Sequence, residues 1–269
     1  MHFAFCILHS ELASAHRIAR ARLLADRYPA AANVLNFYAK LSEYQGSLLD
    51  QSPEIALDGD GLVAAIPAFL AWLEQEAPAA LATSVVDLRR LSAARWREWL
   101  DKAFTEPAGD FAQADHAAMF VVEAILQPFV ERAADASQGQ GFEASATQQD
   151  EGTCPSCGDR PVVGVLREEG HGARRSLVCA RCATEWAYRR VACPGCGERQ
   201  FDALPVYTAE QFAHIRVEAC DRCRRYLKTI DLSKDGLAVP QVDDLASVSL
   251  DLWARAEGYV RLRANLLRT

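Results

Sequence analysis

The first half of the chain repeats apolar residues with the period of an α-helix. Between residues 10 and 135, apolar side chains recur three or four positions apart, as in Phe37 and Leu41. Because one stripe of such a helix faces a core, this pattern predicts a bundle of packed helices. Pro78 is expected to end the third helix, which should begin near Pro67. The pattern therefore predicts a helical domain over residues 1–135.

The pattern changes after a polar segment at residues 136–153. This segment is small, polar and rich in glutamine, which predicts a linker. Beyond it, short stretches with the period-two alternation of β-strands predict two small three-stranded modules, at 154–190 and 191–240. The first strand of the second module is expected over residues 201–206. Such small sheets bury little apolar area, so a bound metal is expected to hold them together.

Helical spacing returns near the end of the chain. After Pro240, apolar residues such as Leu245 and Trp253 recur at helical intervals, and Asp243 is the expected N-cap. Residues 241–269 are therefore predicted to form a C-terminal helical segment. The whole pattern predicts a multi-domain α+β protein.

Four C-x-x-C pairs between residues 154 and 223 contain eight of the nine cysteines. A C-x-x-C turn directs two thiolates toward one point, and two such turns complete a tetrahedral site with four sulfur ligands. The first and third pairs share the motif Cys-Pro-x-Cys-Gly, and a plainer pair follows each of them. This duplication predicts two metal sites in tandem. Their ligands are Cys154, Cys157, Cys179 and Cys182 in the first site, and Cys193, Cys196, Cys220 and Cys223 in the second.

Other uses of these cysteines fit the sequence less well. An interleaved site, made by the first and third pairs, is possible but would not explain why the motif is duplicated. Disulfides need an oxidising compartment, and no export signal precedes the pairs. A thioredoxin-like redox pair leads directly into a helix, which the proline and glycine around Cys154 and Cys193 disfavour. Redox chemistry at a thiolate-bound iron stays open.

Charge and hydropathy narrow the classes of function. The net charge of −7 disfavours general nucleic-acid binding. Residues 151–230 hold thirteen Arg and Lys against ten Asp and Glu, which is a small positive excess. Two filled four-thiolate sites would each add about two negative charges, so the filled segment would be close to neutral. No apolar run approaches the roughly 20 residues of a membrane span. The N-terminus lacks the basic segment of a signal peptide, so a cytoplasmic protein is expected.

Further positions carry a resemblance to a known family. They lie beside the second and fourth cysteine pairs and near the end of the chain, and the helical stretches 17–24 and 38–45 add a weaker match. The positions are Trp186, Asp221, Tyr226, Leu227, Lys228, Leu250, Asp251, Trp253, Ala254, Glu257, Gly258 and Tyr259. Together with the eight cysteines, they resemble FdhE, the formate dehydrogenase accessory protein family.

The resemblance implies a structure and a role. The structure is a helical domain followed by two rubredoxin-like modules, with one iron ion at each set of four cysteines and zinc as the alternative metal. The role is that of a cytoplasmic assembly factor that binds the catalytic subunit of respiratory formate dehydrogenase before its export. It implies no enzymatic activity, and no catalytic triad or phosphate loop is recognisable in the sequence.

Two other functions compete with this interpretation. A zinc-ribbon protein that binds nucleic acid would need an exposed basic stripe, which Arg222, Arg224, Arg225 and Lys228 could supply. A rubredoxin-like electron carrier would need the metal but not the large helical domain. The sequence gives no indication of the oligomeric state.

Overall fold

The structure combines a helical region with a single mixed sheet. It is a computed structural model that describes residues 2–51, 59–105, 116–138, 152–170 and 172–268. The helices are α1 (His2–Arg27), α2 (Ala32–Gln51), α3 (Asp60–Glu76), α4 (Ala79–Leu88), α5 (Ala93–Thr105), α6 (His116–Gln138), α7 (Pro240–Ala246) and α8 (Val248–Ala256). The strands are β1 (Pro161–Glu169), β2 (Gly172–Cys179), β3 (Glu185–Ala187), β4 (Val206–Thr208), β5 (Ile215–Cys220), β6 (Arg225–Asp231) and β7 (Val260–Arg261).

Helices form across the described part of the predicted helical domain, and the start of α3 is displaced. Helix α3 was expected to begin near Pro67 but begins at Asp60, and Pro67 lies inside it. The reason is that Leu62 and Ile66 extend the buried stripe of α3 toward its N-terminus. Most of the predicted linker lies outside the described residues, since α6 continues to Gln138 and the description resumes at residue 152. Within the described helices, none is long and apolar enough to cross a membrane.

The two cysteine-rich modules share one sheet. Strand order is β3-β2-β1-β6-β5-β4, and β7 also pairs with β6. Strands β1 and β2 are antiparallel, as are β5 and β6, but β1 and β6 run parallel, from the pair Val163 and Lys228 to the pair Leu166 and Asp231. Gly164 permits this contact, because a Cβ atom there would lie 2.4 Å from Thr229 Oγ1. The parallel pairing makes each module the neighbour of the other.

The second module departs from its prediction at its first strand. Residues 201–206 were expected to be extended, but Phe201–Ala203 is a 3-10 turn and strand β4 begins only at Val206. Pro205 lacks an N–H group and cannot donate to a ladder, so pairing starts after it.

The C-terminal segment also differs in detail. It forms two short helices, α7 and α8, separated at Ser247. Asp243 was predicted as an N-cap, but α7 begins at Pro240 and Asp243 lies within it, buried. Its carboxylate accepts hydrogen bonds from the guanidinium of Arg20 at 3.0 Å and from the backbone N–H of Val239 at 2.8 Å. The tertiary contact with α1 therefore determines the position of Asp243.

Apolar side chains pack on both faces of the sheet, because successive residues of a strand point to opposite sides. One core joins Ile215 and Ile230 to Leu24 and Leu35 of the first two helices. The other joins strand residues to the helical bundle, and it includes Leu177, Trp186, Leu227, Met119, Ile125 and Phe129. The predicted fold class is confirmed: an N-terminal helical region, two tandem four-cysteine modules and C-terminal helices.

Candidate metal centre

The first centre consists of Cys154, Cys157, Cys179 and Cys182. The turn before β1 supplies the first pair of cysteines, and the end of β2 with the turn after it supplies the second pair. The Sγ atoms of Cys154 and Cys182 are 3.6 Å apart, and those of Cys157 and Cys179 are 3.4 Å apart. All four sulfur atoms lie within 4.8 Å of one another.

The second centre consists of Cys193, Cys196, Cys220 and Cys223, in the same arrangement. Cys193 and Cys196 occupy a turn, Cys220 ends β5, and Cys223 lies in the turn that leads into β6. The Sγ atoms of Cys193 and Cys223 are 3.7 Å apart, as are those of Cys196 and Cys220. The structure thus groups the first pair with the second and the third with the fourth, and not in the interleaved order.

The sulfur positions fit a tetrahedral metal site. With metal–sulfur bonds of about 2.3 Å, the sulfur atoms of a regular tetrahedron are separated by about 3.8 Å. The contacts of 3.4–3.7 Å are close to this edge and far from the roughly 2.05 Å of a disulfide bond. Each centre could therefore hold a metal ion with four sulfur ligands. Zinc and iron both suit such a donor set.

The first turn of each centre repeats the same backbone geometry. Gly158 and Gly197 adopt φ of 74° and 75°, which residues with a side chain rarely adopt. Their N–H groups each donate at 2.9 Å, to the carbonyl oxygens of Cys154 and Cys193 respectively. The Gly195 N–H also points at sulfur, 3.3 Å from Cys193 Sγ. The duplicated sequence is a duplicated turn that positions two thiolates.

The second turn of each centre has the same geometry without glycine. Ala183 and Arg224, which directly follow Cys182 and Cys223, both have φ of 55°. Non-glycine residues are strained in this region by roughly 1–2 kcal/mol. At Arg224 the side chain is held by Asp221, by the carbonyl of Glu257 and by the Tyr259 ring, whose centroid is 4.0 Å away.

Without a cation, four thiolates cannot be ionised together at these distances. Hydrogen bonds from Cys157 and the neighbouring thiols hold the pKa of Cys154 below its ordinary value. Conversely, its hydrogen bond to Cys154 raises the pKa of Cys179. Burial raises the pKa of Cys193 in the second centre. A metal ion that binds either centre must therefore displace protons from the thiols whose pKa is raised.

The surroundings of the first centre tie it to the helical bundle. Cys154, Cys179 and Cys182 are buried in the same apolar core as the helices. Arg181, between the two cysteines of the second pair, donates to the carbonyl of Ala103 in α5 and contacts Asp159 at 3.4 Å.

A second arginine makes a similar connection to the first centre. Arg263 joins Asp159, at 3.2 Å, to Glu123 of α6, at 2.9 Å. Both acids carry the opposite charge to Arg263; the Asp159 side chain is fully buried, and the Glu123 side chain is mostly buried. The first centre therefore lies at the junction of the sheet and the bundle.

The second centre lies at the surface. Cys196 is exposed and Cys223 is partly exposed, whereas Cys193 and Cys220 are buried. None of the four belongs to either apolar core of the described residues. The same four-sulfur geometry therefore occurs in two different environments.

The basic stripe considered from the sequence is not one continuous surface of unpaired cations. Lys228 is fully buried, and its ammonium contacts Asp251 at 2.6 Å and Asp244 at 3.0 Å. Arg222 pairs with Glu198, and Arg224 pairs with Asp221. This alternative loses its support because Lys228 lies on a buried face of the central strand β6.

Sequence reasoning missed the buried charge network around Lys228. Arg261, from the C-terminal tail, completes it by pairing with Asp244 and Asp251. Two bases and two acids balance there. The period-two alternation of β6 could have indicated that Lys228 shares a face with Tyr226 and Ile230.

His214, Asp235 and Asp243 form a third cluster of potential metal ligands. An arginine side chain already provides the positive charge in this cluster. The guanidinium of Arg20 contacts Asp235 at 2.6 Å and Asp243 at 2.5 Å. His214 Nε2 lies 2.8 Å from Asp243. This cluster is a salt-bridge network between α1 and the C-terminal segment.

Comparison with known proteins places the chain among relatives. Residues 153–190 match the family description "FdhE, central domain", and residues 191–268 match "FdhE, C-terminal domain". A "Protein FdhE homolog" from Aquifex aeolicus is 42% identical over 116 residues, which is 42% of this chain and 41% of that protein. A homolog from Pseudomonas aeruginosa is 30% identical over 290 residues, which is 94% of this chain and 89% of that protein.

A solved structure extends the likeness to the fold. It is described as "The crystal structure of the FdhE protein from Pseudomonas aeruginosa", and it matches with a TM-score of 0.76 at 28% identity. The match covers 95% of this chain and 95% of that one. The chain belongs to the FdhE family.

Proposed function

We propose that this chain is a cytoplasmic accessory protein that binds the catalytic subunit of respiratory formate dehydrogenase during its maturation. We also propose that the eight cysteines of the two centres each ligate metal, with one iron ion in each centre. The observation that carries the proposal is the pair of four-cysteine centres on the fold of this family. Zinc is the alternative metal.

The chemistry of the centres favours an assembly role over catalysis. Four thiolates fill a tetrahedral site and leave no open position at which a substrate could bind the metal. A bound metal would join two turns of the sheet and, if it is iron, could exchange one electron. The residues around it would position a protein surface. The cysteine turns are therefore expected to act through binding.

An electron-carrier role is the second candidate. The exposure of Cys196 supports it, because a redox centre must come near its partner to exchange an electron. Nucleic-acid binding has less support, since Lys228 is buried and Arg222 and Arg224 are engaged in ion pairs. Reversible titration of the bound metal without any effect on client capture would favour the electron carrier.

Co-purification tests the proposed function. The wild-type protein and the variants Cys154→Ser and Cys193→Ser would be used to capture the catalytic subunit of formate dehydrogenase from cells that make it. We expect capture by the wild-type protein, weaker capture by both variants, and lower formate dehydrogenase activity in variant cells. An enzyme that has already matured should be unaffected. Equal recovery with normal cellular activity would remove the centres from this function.

Metal analysis tests the ligands directly. Elemental analysis should give about two metal ions per chain, and X-ray absorption should show an all-sulfur shell of four ligands. One ion per chain, or a shell containing nitrogen, would contradict the assignment of the eight cysteines.

A further inference from the structure

A small apolar pocket lies beside the second centre, on the sheet face opposite the core that contains Ile230. Its walls come from the segment after β3, from the 3-10 turn and β4, and from the tail. Phe201 is 78% exposed, Val206 53% and Val191 45%. Large apolar side chains that are grouped at a surface in this way often mark an interaction site. The second centre builds part of the wall, since Cys193 and Cys220 line the pocket.

The polar groups of the pocket are mainly cations, and some of their donors have no acceptor. Arg175 is buried, and its Nε atom has no hydrogen-bond partner in the described part of the chain. Arg190 and Arg225 line the pocket and form no ion pair among the described residues. The carboxylate of Glu218 is occupied by Arg175 and Arg216, both at 2.5 Å.

The charge that results favours an anionic partner. Four arginines and one glutamate line the pocket, so their formal charges sum to +3. A filled centre of four thiolates and a divalent ion would contribute about −2, which leaves the pocket positive. A carboxylate would form charge-assisted hydrogen bonds with Arg190 and Arg225, which have no acidic partner among the described residues.

The size of the pocket indicates an anchor from a protein and not a free metabolite. Its volume is about 90 Å³, smaller than the roughly 150 Å³ of a cavity that admits benzene and far below the roughly 300 Å³ at which small-molecule sites begin. One apolar side chain fits this space. Protein interfaces typically concentrate their affinity in such an anchor surrounded by polar contacts.

We propose that this pocket is the docking site for the client, and that it receives a segment with one apolar side chain next to an acidic residue. The apolar side chain enters between Phe201 and Val206, and the carboxylate meets Arg190 and Arg225. The proposal rests on the proposed function, because it takes the formate dehydrogenase catalytic subunit as the protein that carries the segment.

Binding measurements with matched variants test the docking site. The purified catalytic subunit would be titrated against the full wild-type chain, Phe201→Ser and Arg190→Glu. Both side chains are exposed, so the variants should keep the fold and the metal content, which circular dichroism and elemental analysis would check. Each variant is expected to weaken the Kd by about tenfold. The controls are Leu237→Ser, since Leu237 is 80% exposed, and Arg174→Glu, since Arg174 is exposed and does not line the pocket.

Each outcome of these titrations supports or overturns the docking site. Weakening by both pocket variants with wild-type affinity in both controls supports the docking site. Wild-type affinity in the pocket variants overturns it and leaves the proposed function standing. Weakening by Arg190→Glu alone, or equally by Arg174→Glu, means general charge attraction and also overturns it. No binding by the wild-type chain overturns the proposed function and the docking site together.

Discussion

The two four-cysteine centres have nearly the same local geometry and opposite surroundings. In both, a glycine with φ near 75° follows the first pair of cysteines, and two sulfur–sulfur contacts close the site. The first centre is buried against the helical bundle and bridged to it by Arg181 and Arg263. The second exposes Cys196 and borders an open pocket.

The comparison shows that the cysteine motif determines the geometry of the four sulfur atoms. It does not determine which part of the protein a bound metal would stabilise. At the first centre, a bound ion would hold the sheet against the bundle, because three of its cysteines belong to the shared core. At the second, the same ion would shape a surface. Equivalent cysteines should therefore have unequal effects on stability.

Serine substitution at equivalent cysteines should produce the largest contrast. Cys157 and Cys196 are the second cysteines of the two Cys-Pro-x-Cys-Gly motifs. Each substitution should remove about one metal ion per chain, measured by elemental analysis. Cys157→Ser should lower the free energy of unfolding of the helices by about 5 kcal/mol or more, since structural metal binding contributes on the order of 10 kcal/mol. Cys196→Ser should change it by about 1 kcal/mol or less.

Urea unfolding followed by the helical circular dichroism signal measures this contrast. A linker at 136–153 would allow the helices and the modules to unfold separately, whereas the shared core leads us to expect coupled unfolding. If the Cys157→Ser variant keeps the wild-type helical transition, the first centre does not support the bundle.

The buried Lys228 shows which interactions stabilise the second module in addition to a bound metal. Lys228 of β6 is paired with Asp244 and Asp251 of the C-terminal helices, with no exposure of any of the three side chains. Lys228→Met should destabilise the protein by about 3–5 kcal/mol, because it leaves buried acids unpaired.

A surface lysine provides the matched control for this effect. Lys40 also forms an ion pair, with Glu76, but its side chain is 53% exposed. Lys40→Met should cost about 0.5 kcal/mol or less. Thermal or urea unfolding of the two variants would measure the difference, and equal costs would contradict a structural role for the buried network.

Acid should weaken the contacts beside the second centre. Burial acts to raise the pKa of Glu218, but Arg175 and Arg216 outweigh it and hold the pKa below its ordinary value of 4.5. A depressed pKa stabilises the folded state above about pH 4.5, and this contribution is lost as the pH falls through the folded value. Glu218→Gln should therefore cost about 2 kcal/mol at pH 7.

A pH series of urea unfolding tests the sign of this effect. The difference between the wild-type protein and Glu218→Gln should shrink from pH 7 to pH 3, because the wild-type carboxyl becomes protonated and neutral. A difference that stays constant or grows toward low pH would show that the pKa of Glu218 is not depressed.

The smallest contrast concerns backbone strain in the second turn of each centre. Ala183→Gly should stabilise the protein by about 1 kcal/mol, since glycine adopts φ of 55° without strain. Arg224→Gly should bring no such gain, because it also removes the contacts with Asp221 and Tyr259. Differential scanning calorimetry of both variants would measure the shifts in Tm. An equal gain would mean that the Arg224 side chain contributes nothing.

Local signals in the sequence predicted most of the candidate site. The grouping of the cysteines follows from the duplicated motif, because a C-x-x-C turn needs only its own few residues. Most of the helices and strands follow from hydrophobic periodicity. These features depend on short-range chemistry, which a single sequence carries.

Long-range pairing could not be predicted in the same way. The sequence does not indicate that β1 runs parallel to β6, nor that Arg20 of α1 would take the carboxylate expected to cap a helix at Asp243. The direction of Lys228 depends on which face of β6 meets the C-terminal helices. Such features depend on partners that are more than a dozen residues away, so local periodicity contains no record of them.

The parallel pairing of β1 and β6 has a consequence for synthesis on the ribosome. Val163 pairs with Lys228, 65 residues further along the chain. At roughly 5–20 residues per second, the inner edge of β1 waits roughly 3–13 seconds for its partner to be translated. During that time the backbone groups of an apolar strand have no neighbour on that side, which invites pairing with other chains. The interval between the synthesis of β1 and that of β6 is therefore a period in which the nascent chain is open to aggregation.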